Sequence, residues 1–376
     1  MDCKAKNWSS GSARHEKIVV YPPQAYTRAA MQTDNLRIAR THPLISPAVL
    51  EEELPHDEAD GAFVDQARGT IKKILAGEDS RVLVVVGPCS IHDPAAAEAY
   101  AGQLQELAQT VQEQIFCVMR VYFEKPRTVV GWKGLINDPD LDGSYKINKG
   151  LHLARQILLT ITRTGLPAAT EFLDTTFGQY YTDLISWGAI GARTVESQIH
   201  RQLASGLSMP VGIKNRTDGD IQVAIDAIRA AAHKHLFPSL TKEGAPAILE
   251  TNGNPDCHLV LRGGSKPNYD ARSVNDAQKM LRDAELNPAV MVDCSHANCG
   301  KDPQQQIKVA MAAIEQRIAG NTALCGLMIE SHLVAGRQEI VQPLTYGQSI
   351  TDGCLGMKET RSLLMALADK LVTGKV

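Results

Sequence analysis

The sequence lacks several features that mark particular classes of protein. No apolar run approaches the roughly 18 residues of a membrane-spanning helix, and the first 30 residues hold no apolar core of a secretory signal. A net charge of -3 over 376 residues leaves no surplus of positive charge to neutralise nucleic acid or an anionic membrane surface. Internal repeats and low-complexity tracts are also missing. We therefore expect a globular protein that binds neither nucleic acid nor membranes.

Close cysteine pairs are missing as well. The eight cysteines are scattered and form no CxxC motif: Cys3, Cys89, Cys117, Cys257, Cys294, Cys299, Cys325 and Cys354. In a large chain without a predicted signal peptide, this spacing favours reduced thiols over a disulfide framework. The sequence therefore predicts a cytoplasmic protein.

The most informative stretch runs from Val82 to Asp93, VLVVVGPCSIHD. Five apolar residues followed by Gly-Pro are typical of a strand buried on both faces of a parallel sheet. A helical pattern follows, with Ser90 or Asp93 available as N-cap and Pro94 in the first turn. Strand, polar loop and helix make a βα unit, in which the loop carries the chemistry. Cys89 lies in that loop.

The same alternation continues along the chain. Strands are predicted at 82–86, 116–122, 168–173, 188–193, 210–214, 258–262, 289–294 and 325–330. Helices are predicted at 94–111, 148–164, 175–186, 197–206, 219–234, 273–285 and 303–319. Eight strands with intervening helices predict an α/β fold, a single (β/α)₈ TIM barrel, with a doubly wound open sheet as the alternative. Residues 236–251 predict a β-hairpin inserted between barrel strands 5 and 6.

Three segments are expected. Residues 1–32 are polar and predict a disordered arm. Residues 33–80 form an N-terminal extension, in which 62–76 carry one apolar helical stripe that Gly77 can cap. The catalytic barrel is expected over 81–372.

Cations lie at or just beyond the carboxyl ends of several predicted strands. They are Arg120 and Lys125 for the second strand, Arg193 for the fourth, Lys214 for the fifth and Arg262 for the sixth. The carboxyl ends of barrel strands meet at one mouth, so five cations would surround one site in a slightly acidic protein. For any one of them, a solvated loop residue is the plainer interpretation. Together they predict a multiply charged anionic ligand, such as a phosphorylated carboxylate.

A second set of strand-end residues predicts a metal site. It comprises Cys89, His296, Glu330 and Asp352, scattered over about 260 residues and brought together only by the barrel hypothesis. A thiolate, an imidazole and two carboxylates suit a borderline divalent metal ion, Mn, Fe, Co or Zn, better than Mg or Ca. A buried packing thiol and a hydrogen-bonded structural histidine are the alternatives for the individual residues.

Seven motifs resemble one known family. They are GPCSIHD (87–93), MRVYFEKPRTVVGWKGLINDP (119–139), WGAIGARTVES (187–197), PVGIKNRTDG (210–219), LRGGSKPNY (261–269), DCSHAN (293–298) and SITDGCLG (349–356). The chain resembles the type I 3-deoxy-D-arabino-heptulosonate 7-phosphate (DAHP) synthases over roughly residues 33–370. That family has a (β/α)₈ barrel and condenses phosphoenolpyruvate with erythrose 4-phosphate, releasing phosphate, at the start of aromatic amino acid biosynthesis.

The resemblance implies a role for each candidate. The divalent-metal ligands would be Cys89, His296, Glu330 and Asp352, and the phosphoenolpyruvate contacts Arg120, Lys125, Arg193, Lys214 and Arg262. Arg127 and Thr128 would hold the phosphate of erythrose 4-phosphate. We expect Lys125, Glu171 and His296 to be catalytic. Lys125 would protonate the new alkoxide, Glu171 or a metal-bound water would activate the water that adds at C2, and His296 would act as a metal ligand.

Regulation and assembly follow from the resemblance too. Family members are often inhibited by Phe or Tyr, and they form dimers or tetramers. Positions similar to the effector site are Asn35, Gln179, Ser208 and Ser239. Asn35 and Gly178 depart from the usual Asp and Pro, so Phe, Tyr, Trp or no amino acid remain alternatives, as does a silent or pathway-specialised paralogue.

Other departures are Thr170, Arg216, Pro238 and Pro255. Arg216 is either a surface cation or an extra phosphate contact. The enzymatic alternative is 3-deoxy-manno-octulosonate 8-phosphate synthase, which uses arabinose 5-phosphate; the KPRT motif and the long chain argue against it.

Overall fold

The computed structural model describes residues 33–127 and 129–374. The chain divides into two units between Pro43 and Leu44. The described part of the first unit, residues 33–43, contains a turn at Asn35, whose carbonyl accepts from Ile38 N–H at 3.0 Å. The predicted arm at 1–32 lies outside the described residues. The division at 33–80 and 81–372 stays a prediction.

The second unit is built on a closed barrel of eight parallel strands. In chain order the structure has β1 Val82–Gly87, β2 Ile115–Arg120, β3 Ala168–Glu171, β4 Trp187–Ile190, β5 Val211–Lys214, β6 Leu236–Leu240, β7 Pro246–Glu250, β8 Cys257–Leu261, β9 Val290–Asp293, β10 Leu324–Glu330, β11 Val334–Arg337 and β12 Gln348–Ser349. The barrel order is β1-β10-β9-β8-β5-β4-β3-β2. This confirms the predicted TIM barrel over the open sheet, because β1 and β10 pair and close the ring.

Nine helices lie among the described residues. They are α1 Pro47–Glu53, α2 Glu58–Ala76, α3 Pro94–Val111, α4 Ile147–Arg163, α5 Gln198–Gly206, α6 Gln222–Ala231, α7 Ala271–Asp283, α8 Gln305–Ile318 and α9 Met357–Thr373. Asp93 caps α3 by accepting from Ala95 and Ala96 N–H, and Asp57 and Asp60 form a capping box on α2. No helix in the described part of the chain is long and apolar enough to cross a membrane.

Large and small side chains fill the barrel interior. Trp187 is fully buried, and a Cβ added at Gly212 would lie 2.2 Å from its ring. Glycine on β5 therefore makes room for the indole on the neighbouring strand β4. The interior is thus packed, and the polar residues collect at the carboxyl ends of the strands.

The inserted hairpin is where the sequence predicts it. β6 and β7 follow β5 and precede β8 along the chain, and they pair antiparallel as a separate two-stranded sheet. The helix expected at 175–186 is wrong in type, because this segment forms two 3₁₀ turns, Phe177–Tyr180 and Thr182–Leu184. Asp174 holds the first turn by accepting from Thr176 and Phe177 N–H. Helices α1 and α9 and the small sheet of β11 and β12 were not anticipated.

Candidate active site

A pocket of about 380 Å³ opens at the carboxyl ends of the barrel strands. We call it the mouth pocket. Eight predicted site residues line it: Lys125, Arg127, Glu171, Arg193, Lys214, Arg262, His296 and Asp352. Cys89, Arg120 and Glu330 are buried close beside them. Thr128 lies outside the described residues. The barrel therefore brings together residues that are far apart in the sequence.

Three of the four predicted metal ligands form a tight cluster. Ligand atoms of Cys89, Glu330 and Asp352 all lie within 4.8 Å of one another. Cys89 Sγ is 3.7 Å from Asp352 Oδ2. His296 lies at the margin of this cluster, with Nε2 4.0 Å from Glu330 Oε1. All four predicted ligands therefore face one small volume, with His296 the most distant.

The backbone and neighbours of His296 aim its ring at that cluster. Its φ is +55°, in the left-handed region that non-glycine residues seldom adopt. Nδ1 contacts Asp293 Oδ2 at 3.0 Å and Ser295 Oγ at 2.7 Å. A carboxylate against Nδ1 favours the tautomer whose Nε2 lone pair is free to bind metal. A donor set of S, N and O with this support fits a borderline divalent metal ion.

Lys125 and Arg120 supply positive charge next to the cluster. Lys125 Nζ is 3.0 Å from Cys89 Sγ, and Arg120 Nη2 is 3.0 Å from Glu330 Oε1. Burial lowers the pKa of Lys125, but Cys89 and Glu330 outweigh it and the pKa is raised. Burial also opposes ionisation of Asp352, yet Lys125 and His296 leave its pKa below the ordinary value. The site thus keeps an ammonium and a carboxylate side by side.

Arg120 is placed differently from the other predicted cations. It is 1% exposed, its Nε donates to Pro88 O at 3.1 Å, and its guanidinium lies 3.6 Å from the Tyr122 ring centroid. In this conformation its donors hold Glu330 and the loop around Cys89. A contact with phosphoenolpyruvate stays a prediction for Arg120.

The remaining cations face the mouth pocket with different partners. Lys214 Nζ pairs with Asp293 Oδ2 at 3.0 Å, and Asp293 is the carboxylate that also contacts His296. Three arginines instead donate to backbone carbonyls: Arg127 to Trp132, Arg193 to Pro126 and Arg262 to Gly263. Partners of this kind leave the guanidinium charge available to an anion.

Arg216 is held away from the mouth pocket by acidic neighbours. It forms a two-point contact with Asp218, at 3.0 and 2.6 Å, and donates to Glu196 at 2.9 Å. It is also absent from the residues that line the mouth pocket. These contacts favour the surface-cation interpretation over an extra phosphate contact.

Two of the predicted effector residues lie in segments joined by one lysine. Lys242, in the turn of the β6–β7 hairpin, donates to the carbonyl of Gln179 at 2.5 Å and pairs with Glu51 of α1. Ser239 is on β6 of the same hairpin. Ser208 is exposed between α5 and β5, and Asn35 belongs to the separate unit of residues 1–43.

Glu124, the residue before Lys125, is a buried carboxyl group that contacts the chain just ahead of the first 3₁₀ turn. Both of its oxygens accept from the Asp174 N–H, at 3.2 and 3.3 Å. Burial, the charge of Asp174 and, less strongly, that of Glu171 raise the pKa of Glu124 to about 8. Glu124 is therefore largely protonated at neutral pH.

Replacing Glu124 with glutamine should stabilise the protein in alkaline buffer. Since the pKa of Glu124 is about 8 in the folded chain against an ordinary 4.5, the folded chain binds the extra proton between these values. The free energy of unfolding of the wild type therefore falls as the pH rises through this window. Glutamine does not ionise, so Glu124→Gln should be more stable than the wild type above pH 8, by on the order of a few kcal/mol. Denaturation at pH 6 and pH 8.5 measures it, with exposed Glu113→Gln as control. A difference that does not grow with pH would contradict this reading.

Comparison with known proteins identifies the chain. The family model described as "DAHP synthetase I family" matches residues 55–365. The chain belongs to this family. It is 54% identical over 340 residues to the Phe-sensitive phospho-2-dehydro-3-deoxyheptonate aldolase of Escherichia coli (strain K12), covering 90% of this chain and 97% of that protein. It is also 54% identical to the Trp-sensitive enzyme of Enterobacter agglomerans, covering 90% and 98%.

A solved structure of this synthase family agrees with the fold. The phospho-2-dehydro-3-deoxyheptonate aldolase of Francisella tularensis SCHU S4 matches with a TM-score of 0.87 at 51% identity, covering 89% of this chain and 98% of that one. These findings confirm the resemblance drawn from the motifs. This DAHP synthase family member is an enzyme.

Sequence reasoning missed residues that support the site. Asp293 contacts both His296 and Lys214. Gln306 of α8 brackets Glu330, accepting from its N–H at 2.8 Å and donating to its carbonyl at 3.0 Å. The position of Asp293 in the DCSHAN motif was a usable signal, since it lies near the carboxyl end of the predicted strand 289–294. Gln306 lies on a helix and carried none.

Proposed function

We propose that this protein condenses phosphoenolpyruvate with D-erythrose 4-phosphate to give DAHP and phosphate, the first step of aromatic amino acid biosynthesis. The observation that carries the proposal is the mouth pocket, where a Cys/Glu/Asp cluster borders Lys125 and arginines that point at an open volume. Such a site suits two phosphorylated substrates and one metal ion. Family membership supports the same reaction.

Substrate binding is assigned to the cations. The phosphate and carboxylate of phosphoenolpyruvate would be neutralised by four cations that line the mouth pocket, Lys125, Arg193, Lys214 and Arg262. The buried Arg120 would be the fifth cation. Arg127, with Thr128, would take the phosphate of the aldehyde. Neutralising both anions lets C3 of phosphoenolpyruvate approach the aldehyde carbon without charge repulsion.

The metal would be held by Cys89, His296, Glu330 and Asp352. Bound there, a divalent ion supplies Lewis-acid polarisation of the aldehyde carbonyl. Mn, Fe, Co and Zn all suit the donor set. Asp293 and Gln306 would keep His296 and Glu330 in place, since each contacts its partner within 3.0 Å.

Proton transfers are assigned to two residues. Attack by C3 leaves an alkoxide on the former aldehyde carbon, and Lys125, held as an ammonium, would give it a proton. Water then adds at C2, losing one proton to Glu171. The new C2 hydroxyl gives its remaining proton to the departing phosphate, so that C2=O forms as the C2–O bond to phosphate breaks and the phosphate leaves with the bonding electron pair. Glu171 lines the mouth pocket, as this assignment requires.

The experiment is phosphate release by the metal-reconstituted chain given phosphoenolpyruvate and one aldehyde. Erythrose 4-phosphate should give turnover that EDTA abolishes and added metal restores, and arabinose 5-phosphate should not. Turnover with arabinose 5-phosphate alone would favour the octulosonate synthase. No turnover with either aldehyde, from folded protein that holds its metal, would favour the silent paralogue.

We also propose regulation by an aromatic amino acid and assembly as a homodimer or homotetramer. The support for regulation is the names of the Phe-sensitive and Trp-sensitive relatives, and the contact of Lys242, in the hairpin turn, with the carbonyl of Gln179. Assembly is proposed from the family resemblance alone. Adding Phe, Tyr or Trp to the same assay tests regulation, and light scattering tests assembly. A cytoplasmic location is proposed too, since the seven described cysteines are all free.

A further inference from the structure

Arg337 lines the mouth pocket, although no motif singles it out. It ends strand β11, and the backbone on both sides is fixed. Gly336 N–H donates to Cys354 O at 2.8 Å, and Gln338 N–H donates to Ser349 O at 2.8 Å. The side chain is 59% exposed and Nη2 pairs with Glu339 Oε1 at 3.0 Å. A rigid backbone thus presents an accessible guanidinium at the pocket rim.

The charges of the two substrates leave a role for this guanidinium. The assignments above give phosphoenolpyruvate five cations but give the phosphate of the aldehyde one cation, Arg127, beside the hydroxyl-bearing Thr128. A phosphomonoester carries about -1.5 to -2 charge at pH 7, so one arginine leaves part of that charge unmatched. Arg127 Nε also donates to the Trp132 carbonyl, so this N–H is not available to the phosphate. Among the described residues lining the mouth pocket, Arg337 is the arginine that those assignments leave without a substrate group.

We propose that Arg337 binds the phosphate of the phosphorylated aldehyde together with Arg127, leaving Glu339 to do so. This inference rests on the proposed function. Exposed ion pairs such as Arg337–Glu339 are weak, because water screens both partners. A phosphate offers the guanidinium a two-point contact and more negative charge than one carboxylate. Glu339 then acts as the resting partner that the substrate displaces.

The test is steady-state kinetics of Arg337→Gln, varying one substrate while the other is saturating. We expect the KM for erythrose 4-phosphate to rise about tenfold, the loss of one charged hydrogen-bonding partner. The KM for phosphoenolpyruvate and kcat should change less than about twofold, since Arg337 is absent from those steps. With unphosphorylated D-erythrose, the variant and the wild type should behave alike. Glu339→Gln should lower the KM for erythrose 4-phosphate.

The control is Arg361→Gln, which removes another half-exposed arginine. Arg361 lies on α9 and pairs with Glu106 of α3 at 3.8 Å. An unchanged KM in Arg337→Gln, or an equal rise for both substrates, would overturn the inference. Inorganic phosphate, titrated calorimetrically onto the phosphoenolpyruvate complex, gives a readout without turnover: Arg337→Gln should bind it more weakly. The proposed function is tested by turnover of the wild type, and the role of Arg337 is tested by comparing the variant with the wild type. Failure of one proposal can therefore be told apart from failure of the other.

Discussion

Replacing Cys89 with alanine is expected to abolish metal-dependent turnover and to leave the fold intact. Cys89 supplies the thiolate of the proposed ligand set and lies 3.7 Å from Asp352 and 3.0 Å from Lys125. Removing a residue that only supports a ligand typically costs about 10- to 100-fold in metal affinity or activity. Losing the ligand itself should therefore lower kcat by more than about a hundredfold.

Two measurements separate this effect from simple destabilisation. Metal content per chain after buffer exchange should fall well below that of the wild type, and the melting temperature should change little. Cys117→Ala is the matched control, because Cys117 is also a buried free thiol but lies on β2, away from the mouth pocket. If Cys89→Ala kept its metal and its kcat, the ligand assignment would be wrong.

The barrel could be predicted because its signal is local and repeated. Each strand is a short buried run, such as Val82–Gly87, followed by a polar loop and an amphipathic helix. A closed ring of eight such units also predicts which residues share the mouth. The helix predicted for 175–186 was wrong because the apolar residues there have helical spacing, whereas Asp174 accepts from Thr176 and Phe177 N–H and the segment forms 3₁₀ turns.

The candidate site was predictable at the strand ends and not beyond them. Cys89, Lys214 and Glu330 follow or end buried strands, so their convergence follows from the fold alone. Gln306 and Arg337 were missed because they reach the site through tertiary contacts, from α8 and from a loop folded into β11 and β12. Nothing in local spacing indicates that those elements turn toward the mouth.

We expect turnover to need Lys125 as a proton donor and not only as a positive charge. Lys125 is 8% exposed, and its ammonium donates to both the sulfur and the carbonyl of Cys89, at 3.0 and 3.2 Å. Lys125→Met removes the proton donor for the alkoxide, and loss of a general acid typically costs about 10²- to 10⁴-fold in kcat. Lys370→Met, which removes a surface lysine paired with Glu315 at 2.9 Å, should have no such effect.

Lys125→Arg separates proton donation from charge. A guanidinium keeps the positive charge but stays protonated at any working pH, so it can bind phosphoenolpyruvate without serving as an acid. We therefore expect Lys125→Arg to restore much of the KM for phosphoenolpyruvate that Lys125→Met loses, while kcat stays low. Metal content should match the wild type in both variants, unlike Cys89→Ala. Recovery of kcat in Lys125→Arg would show that Lys125 acts through its charge, and the proton donor would have to be sought among the other groups that line the mouth pocket.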